Sequence, residues 1–200
     1  MIVAGANRHA KEVLQILRKK GIDNIVLFDD LSSVFHEYFD EYIIIKSLAV
    51  IGLEKEFILA LGSPQSRFAV SKKLLGCGLE LVSVISDTAE IGAKDITLGR
   101  GLNIMNFVFI SDCVTIGEGT LVNAFASIHH DVIIGKYCEI SPRSTILGGA
   151  QIGDFCSVGA GAVILPNIKI GDNVVIGAGA VVTMSVASNT KVKGVPAKIF

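Results

Sequence analysis

Two neighbouring histidines followed by an aspartate, His129-His130-Asp131, are the residues of this chain best placed by type and spacing to move a proton. Imidazole titrates near neutral pH, and a carboxylate that holds one ring N–H leaves the opposite nitrogen able to accept a proton. Either histidine suits the role of base from sequence alone, and two solvated turn residues would look the same. Eighteen residues beyond His130 stands Gly148, followed by Gly149. A residue without a side chain lets a ligand reach the backbone, where an N–H can meet a developing oxyanion. A tight corner also asks for glycine.

A second group lies near the amino terminus. Gly5-Ala6-Asn7-Arg8-His9 follows an apolar run and opens an amphipathic one. Its backbone N–H groups crown a helix start, which suits a phosphate, although the turn is not a complete GxGxxG. Asp29-Asp30 comes about 20 residues further on, where an acidic residue at a strand end accepts hydrogen bonds from a ribose or base. Gly62-Ser63-Pro64 and Arg67 are further candidates for the same cleft. Ordinary turn and helix-start chemistry accounts for these residues equally well. Lys191, Lys193 and Lys198 near the carboxyl end suit a polyphosphate, or simply solubility. The other histidine, His36, joins none of these groups.

Positioning these residues takes two kinds of structure. From Leu98 to Val182 an aliphatic residue falls on every sixth position, through Ile128 and Ile146. Gly99, Gly117, Gly135, Gly153 and Gly171 add a period of eighteen. Neither a helix nor a half-buried strand repeats at six. Three short strands per turn of a coil do, with the sixth-position side chain pointing at the axis. The spacing predicts a hexapeptide-repeat parallel β-helix of about five coils within residues 86–200. Because Ile128 points inward, at least one of the histidines behind it points out.

Residues 1–85 read differently. Strands are expected at 1–4, 24–28, 42–45, 57–61 and 79–85, and helices at 9–20 and 64–75. That alternation builds a small parallel Rossmann-like sheet of nucleotide-binding type.

Composition narrows the functions. Of 200 residues, 50% are hydrophobic and 18% charged, yet no run of about 18 apolar residues is present to insert in a membrane. The 18 Lys and Arg meet 19 Asp and Glu for a net charge of −1, and tryptophan is absent, which argues against a nucleic-acid partner. The amino terminus begins a strand with no charged leader, so a cytoplasmic protein without a signal peptide is expected. Cys77, Cys113, Cys138 and Cys156 form no CxxC pair. Cys138 and Cys156 are expected as buried thiols on successive rungs, and no metal site is expected.

The hexads, the terminal VKGVPAK and the His-Asp pair together resemble the hexapeptide-repeat acyltransferases. The leading GANRHAKEV, the FDD after the second strand and LALGSPQSR are similar to one branch, the sialic acid O-acetyltransferase-like sugar acetyltransferases. That branch includes the bacterial nucleotide-4-amino-sugar N-acetyltransferases of glycan biosynthesis, and the resemblance covers essentially the whole chain. It implies a left-handed coil, acetyl-CoA as co-substrate, and a homotrimer with each site between two subunits. The implied reaction moves an acetyl group to the 4-amino group of a nucleotide-linked deoxysugar for bacterial surface glycans.

Carried onto this sequence, the resemblance makes His130 the base, Asp131 its partner and Gly148 the oxyanion-side glycine. It gives Gly5, Ala6, Asn7, Arg8, His9, Asp29, Asp30, Gly62 and Arg67 to the nucleotide sugar. It gives Glu139, Gly148, Ala160, Ala178, Lys193 and Lys198 to CoA. Two positions depart from the family pattern. Arg8 stands where glycine is frequent, and Glu139 stands nine residues after His130, where a second histidine is common. An O-acetyltransferase of a free sugar acid such as sialate would keep the same base without needing a nucleotide. A non-catalytic scaffold or a metal-binding trimer is the alternative of another class, although the third histidine such a metal site needs is missing.

Overall fold

The computed structural model describes residues 1–30, 39, 41–50 and 55–200, and the candidate His36 lies outside them. Up to residue 81 its strands and α-helices are β1 (Ile2–Ala4), α1 (Arg8–Lys19), β2 (Val26–Phe28), β3 (Ile43–Ile45), β4 (Glu56–Leu59), α2 (Pro64–Gly76) and β5 (Glu80–Leu81). The strands pair parallel in the order β3-β2-β1-β4-β5. Alternate strand residues face opposite sides. Val3, Leu27 and Ile58 share a core with Ala10, Val13 and Leu17 of α1, whereas Ala4, Phe28, Phe57 and Leu59 meet Val70 and Leu74 of α2. The strand order reverses between β1 and β4, the place where open α/β sheets bind ligands.

Both helices start on a cap. Asn7 accepts the Arg8 N–H at 2.8 Å, and Ser63 Oγ accepts the Ser66 N–H at 3.5 Å with Pro64 in the first turn. Helix α1 has a second partner besides the small sheet. Val84, Met105 and Leu121 belong to its core, so it lies between the sheet and the coil stack.

The strand expected at 79–85 is divided. β5 closes the small sheet, and β6 (Val84–Ile85) opens the coil by pairing with Asn103–Ile104. The backbone changes partners within three residues: Val82 N–H donates to Phe57, and Val84 N–H donates to Leu102. One continuous strand cannot hydrogen-bond to two sheets that face each other across a helix.

From Glu90 to Val182 every strand is two residues long, and the coil runs as three parallel sheets. Phe109 pairs with Ser127, which pairs with Thr145, so one turn is eighteen residues. The sheets hold six, five and eight strands, the last including an antiparallel Lys198–Ile199. The stack is therefore taller than the expected five coils. It begins at Val84, before the strict hexads, and continues past them to Lys191–Lys193.

The sixth-position residues from Ile104 to Val182 are all buried, while Leu98 at the upper end is only partly so. A second inward series sits two residues earlier in each hexad, including Val114, Thr120, Ala126, Val132, Cys138, Ser144, Ala150 and Cys156. Cys138 and Cys156 are thus core thiols, each directing Sγ to a backbone carbonyl, of Gly153 at 3.1 Å and Gly171 at 3.0 Å.

Truncating an inward position leaves a cavity between rungs that cannot collapse. Ile140→Ala should cost about 2–5 kcal/mol, whereas Glu90→Ala, at an exposed outward position, should stay within about 0.5 kcal/mol. Urea unfolding midpoints measure both, and equal midpoints would contradict this assignment of inward and outward positions.

Candidate active site

His130 sits where the chain leaves the strand Ser127–Ile128 and turns toward Ile133–Ile134. Buried Ile128 anchors the strand, and Asp131 takes the left-handed conformation (φ 60°) that makes the corner. Both side chains project outward, and His130 Nδ1 lies 2.8 Å from Asp131 Oδ2. With Asp131 ionised, Nδ1 donates and Nε2 is left as the acceptor. The pair stands open, at 67% and 63% exposure. One coil on, a Cβ at Gly148 would sit 2.6 Å from the His130 Cε1 and 2.7 Å from Nε2. Gly148 therefore seats the imidazole, and Gly149 ties the corners together by donating its N–H to the His130 carbonyl at 3.0 Å. His129 turns elsewhere: its ring meets Phe109 at 5.9 Å, and its Nε2 is 3.4 Å from Ser127 Oγ. The carboxylate pairs with His130 and not with His129.

A cleft of about 130 Å³ opens at the strand-order reversal, lined by Gly5, Asn7, Phe28, Asp29, Asp30, Leu61 and Val70. Gly5 adopts φ 119° and packs so closely on the residue that follows β4 that a Cβ would lie 2.7 Å from the Ala60 oxygen. Ala6 donates its N–H to the buried Asp29 carboxylate at 2.9 Å. These two residues brace the turn to β2, and the Ala6 side chain is buried rather than presented to a ligand. Asp30 is exposed and paired with Lys73 of α2, whose ammonium stands 5.4 Å from the Phe28 ring centre. Arg8 is exposed at the first position of α1.

Arg67 does not line the cleft. It is fully buried, donating Nε to the Gly119 carbonyl at 2.7 Å and Nη1 to the Leu61 carbonyl at 2.8 Å. It clamps α2 to the coil, and burial pulls its pKa down to about 10 against the opposing influence of Glu139 and Tyr137. His9 also turns toward the coil, with Nε2 3.2 Å from the Asn103 amide and Nδ1 3.3 Å from Glu12.

Glu139 is placed with these residues, not with Gly148. It lies half-buried on the coil sheet that α1 covers, with Oε1 4.0 Å from where a Gly62 Cβ would be. Burial raises its carboxyl pKa, while His9, Arg67 and a hydrogen bond from Ser141 act the other way.

The remaining candidates mark another corner. Ala160 and Ala178 are exposed one coil apart, joined by Gly179 N–H to the Ala160 carbonyl at 2.9 Å. Gly161 and Gly179 beside them have nothing within 4 Å of a built Cβ, so this corner offers bare backbone. Lys193 and Lys198 pair across the last two strands, and Lys193 lies 4.2 Å from the Phe200 ring centre.

Two sites thus emerge on opposite sides of one prism. The α/β unit covers the sheet holding Asn103, Leu121 and Glu139, while His130 occupies the corner between the other two sheets. Asn103 was not among the candidates, although its outward register, one residue before inward Ile104, marks it as facing whatever covers that sheet. Among the described residues no three His, Cys, Asp or Glu side chains gather as a metal site, and no helix is long and apolar enough to cross a membrane.

The PglD N-terminal domain family matches residues 1–74, and the bacterial transferase hexapeptide family matches residues 113–148 and 149–183. No curated protein matches by sequence. Among solved structures, a mutant of perosamine N-acetyltransferase from Caulobacter crescentus, in complex with CoA and GDP-perosamine, is 28% identical over 100% of this chain and 95% of that one, with a TM-score of 0.88. The acetyltransferase domain of PglB from Neisseria gonorrhoeae, in complex with acetyl coenzyme A, is 25% identical over 100% and 98%, with a TM-score of 0.89. WeeI from Acinetobacter baumannii is 26% identical over 100% and 98%, with a TM-score of 0.91. One chain thus joins a region similar to the PglD N-terminal domain to a run similar to the bacterial transferase hexapeptide repeats.

Proposed function

We propose that the protein transfers the acetyl group of acetyl-CoA to the 4-amino group of a nucleotide-linked deoxysugar, a step in making a bacterial surface glycan in the cytoplasm. The observation that carries this reading is the His130–Asp131 pair seated on Gly148, in a chain that also holds a switch-point cleft. Structural relatives with CoA and GDP-perosamine, or with acetyl coenzyme A, support it.

Asp131 holds the Nδ1–H, so Nε2 accepts a proton from the sugar amine as its nitrogen attacks the thioester carbon. The Gly148 N–H faces the carbonyl oxygen as negative charge develops there. When the carbon–sulfur bond breaks, the imidazolium returns the proton to the departing thiolate, and the products are the amide and CoA. The bare corner at Ala160 and Ala178, with Lys193 and Lys198, suits the long CoA chain and its phosphates.

The opposite placement of cleft and His130 within one chain supports a site that a second copy completes. Phe109 at 37% and Ile133 at 46% exposure flank the His130 corner on its two sheets, and cyclic packing on both would cover them. A homotrimer is the assembly this supports.

His130→Ala should lower kcat about 10²- to 10⁴-fold, while His129→Ala should leave kcat within about tenfold, because His129 has no carboxylate partner among the described residues. Kinetics with acetyl-CoA and UDP-, dTDP- and GDP-linked 4-amino sugars, with product mass spectrometry, reads both and separates amide from ester. An unchanged kcat in His130→Ala would remove the base. Gly148→Ala should displace the ring and lower kcat with the fold intact. Full activity in that variant would contradict the seating.

A further inference from the structure

We infer that Glu139 is the residue that recognises the amino group of the acceptor sugar, an inference that rests on the acetyl-transfer reading above. A nucleotide sugar is a directional ligand, and the cleft fixes its direction. The nucleoside belongs beside Asp30 at the tip of β2, and the diphosphate belongs at the α1 start by Gly5 and Asn7. The sugar then leaves past the end of β4, over Leu61 and Gly62. That exit faces Glu139, whose Oε1 stands 4.0 Å from the place a Gly62 side chain would begin. Glycine leaves the gap open.

The carboxylate suits a cation. It is half-buried, so a charge brought to it is screened less than in water. His9 and Arg67 act on Glu139 only at longer range, without an ion pair to it among the described residues, and Arg67 gives its hydrogen bonds to the Gly119 and Leu61 carbonyls. Ser141 supplies a single neutral hydrogen bond. A 4-amino sugar in neutral water carries an ammonium, which forms a charge-assisted hydrogen bond to such a group, whereas a 4-hydroxyl forms only an ordinary one. Glu139 holds the ammonium, which gives one proton to solvent to become the nucleophilic amine; Nε2 of His130 from a second copy takes the next as the nitrogen attacks, and the remaining N–H stays directed at the carboxylate. Glu139 is thus a specificity-determining residue that favours amine over alcohol.

The test measures binding of UDP-, dTDP- and GDP-linked 4-amino deoxyhexoses and of their 4-hydroxy counterparts by calorimetry, using the full chain and its Glu139→Gln variant. The wild type should bind the amino compound about ten- to a hundredfold more tightly than the hydroxy compound. The variant should bind the two equally and bind the parent nucleoside diphosphate as the wild type does. Equal binding of both sugars by the wild type, or an undiminished preference in the variant, overturns the role of Glu139 and leaves acetyl transfer standing. A variant that also loses the nucleoside diphosphate overturns it too, because the residue would then be holding the cleft together. Failure of every nucleotide compound to bind the wild type removes the acetyl-transfer reading and this inference with it.

Discussion

Burial of one rung by the next is the interaction on which everything else in this protein rests. A strand of two residues has too few hydrogen bonds to persist alone, and its inward isoleucine is covered only when the neighbouring coils are in place. The eighteen-residue register that results is what sets His130 above Gly148. Hexads run without insertion from Leu98 to Val182, so the corner geometry is inherited directly from the core. His130 needs no loop of its own to be placed there.

The second joint is between the α/β unit and the coil. Apolar residues of α1 share one core with the small sheet and with Val84, Met105 and Leu121 of the coil, and polar groups finish the seam. Asn103 donates to the Leu59 carbonyl at 2.5 Å, Ser71 meets the Tyr137 hydroxyl at 2.9 Å, and Arg67 bonds to two backbone carbonyls. A guanidinium taken wholly out of water is costly unless its donors are matched; Nε and Nη1 find carbonyls that fix its position, while buried Nη2 has no hydrogen-bond partner among the described residues. These contacts bring His9, Gly62 and Glu139 to one rim.

Much of this was legible in the sequence because it repeats. A period of six has one physical explanation, and the apolar spacing in α1 has another. The second inward series escaped notice because valine, alanine, cysteine, serine and threonine alternate there, united by small volume rather than by hydropathy. Arg67 was misread because its partner Gly119 lies 52 residues away, and nothing local distinguishes a buried clamp from a ligand-binding arginine. Glu139 lies apart from the other residues given to CoA for a similar reason. Its spacing from His130 was readable, but two strands that lie on different sheets point different ways however close they are in sequence. The division at Val82 and Ser83 was equally invisible, since β5 and β6 are set apart by which distant edge accepts each of them, Phe57 for one and Asn103–Ile104 for the other.

The buried Arg67 clamp has an evolutionary corollary. A domain welded to its scaffold through a desolvated guanidinium cannot tilt to admit a bulkier or differently shaped guest. A different guest is then met by exchanging individual side chains along a stationary rim, with the scaffold beneath left untouched.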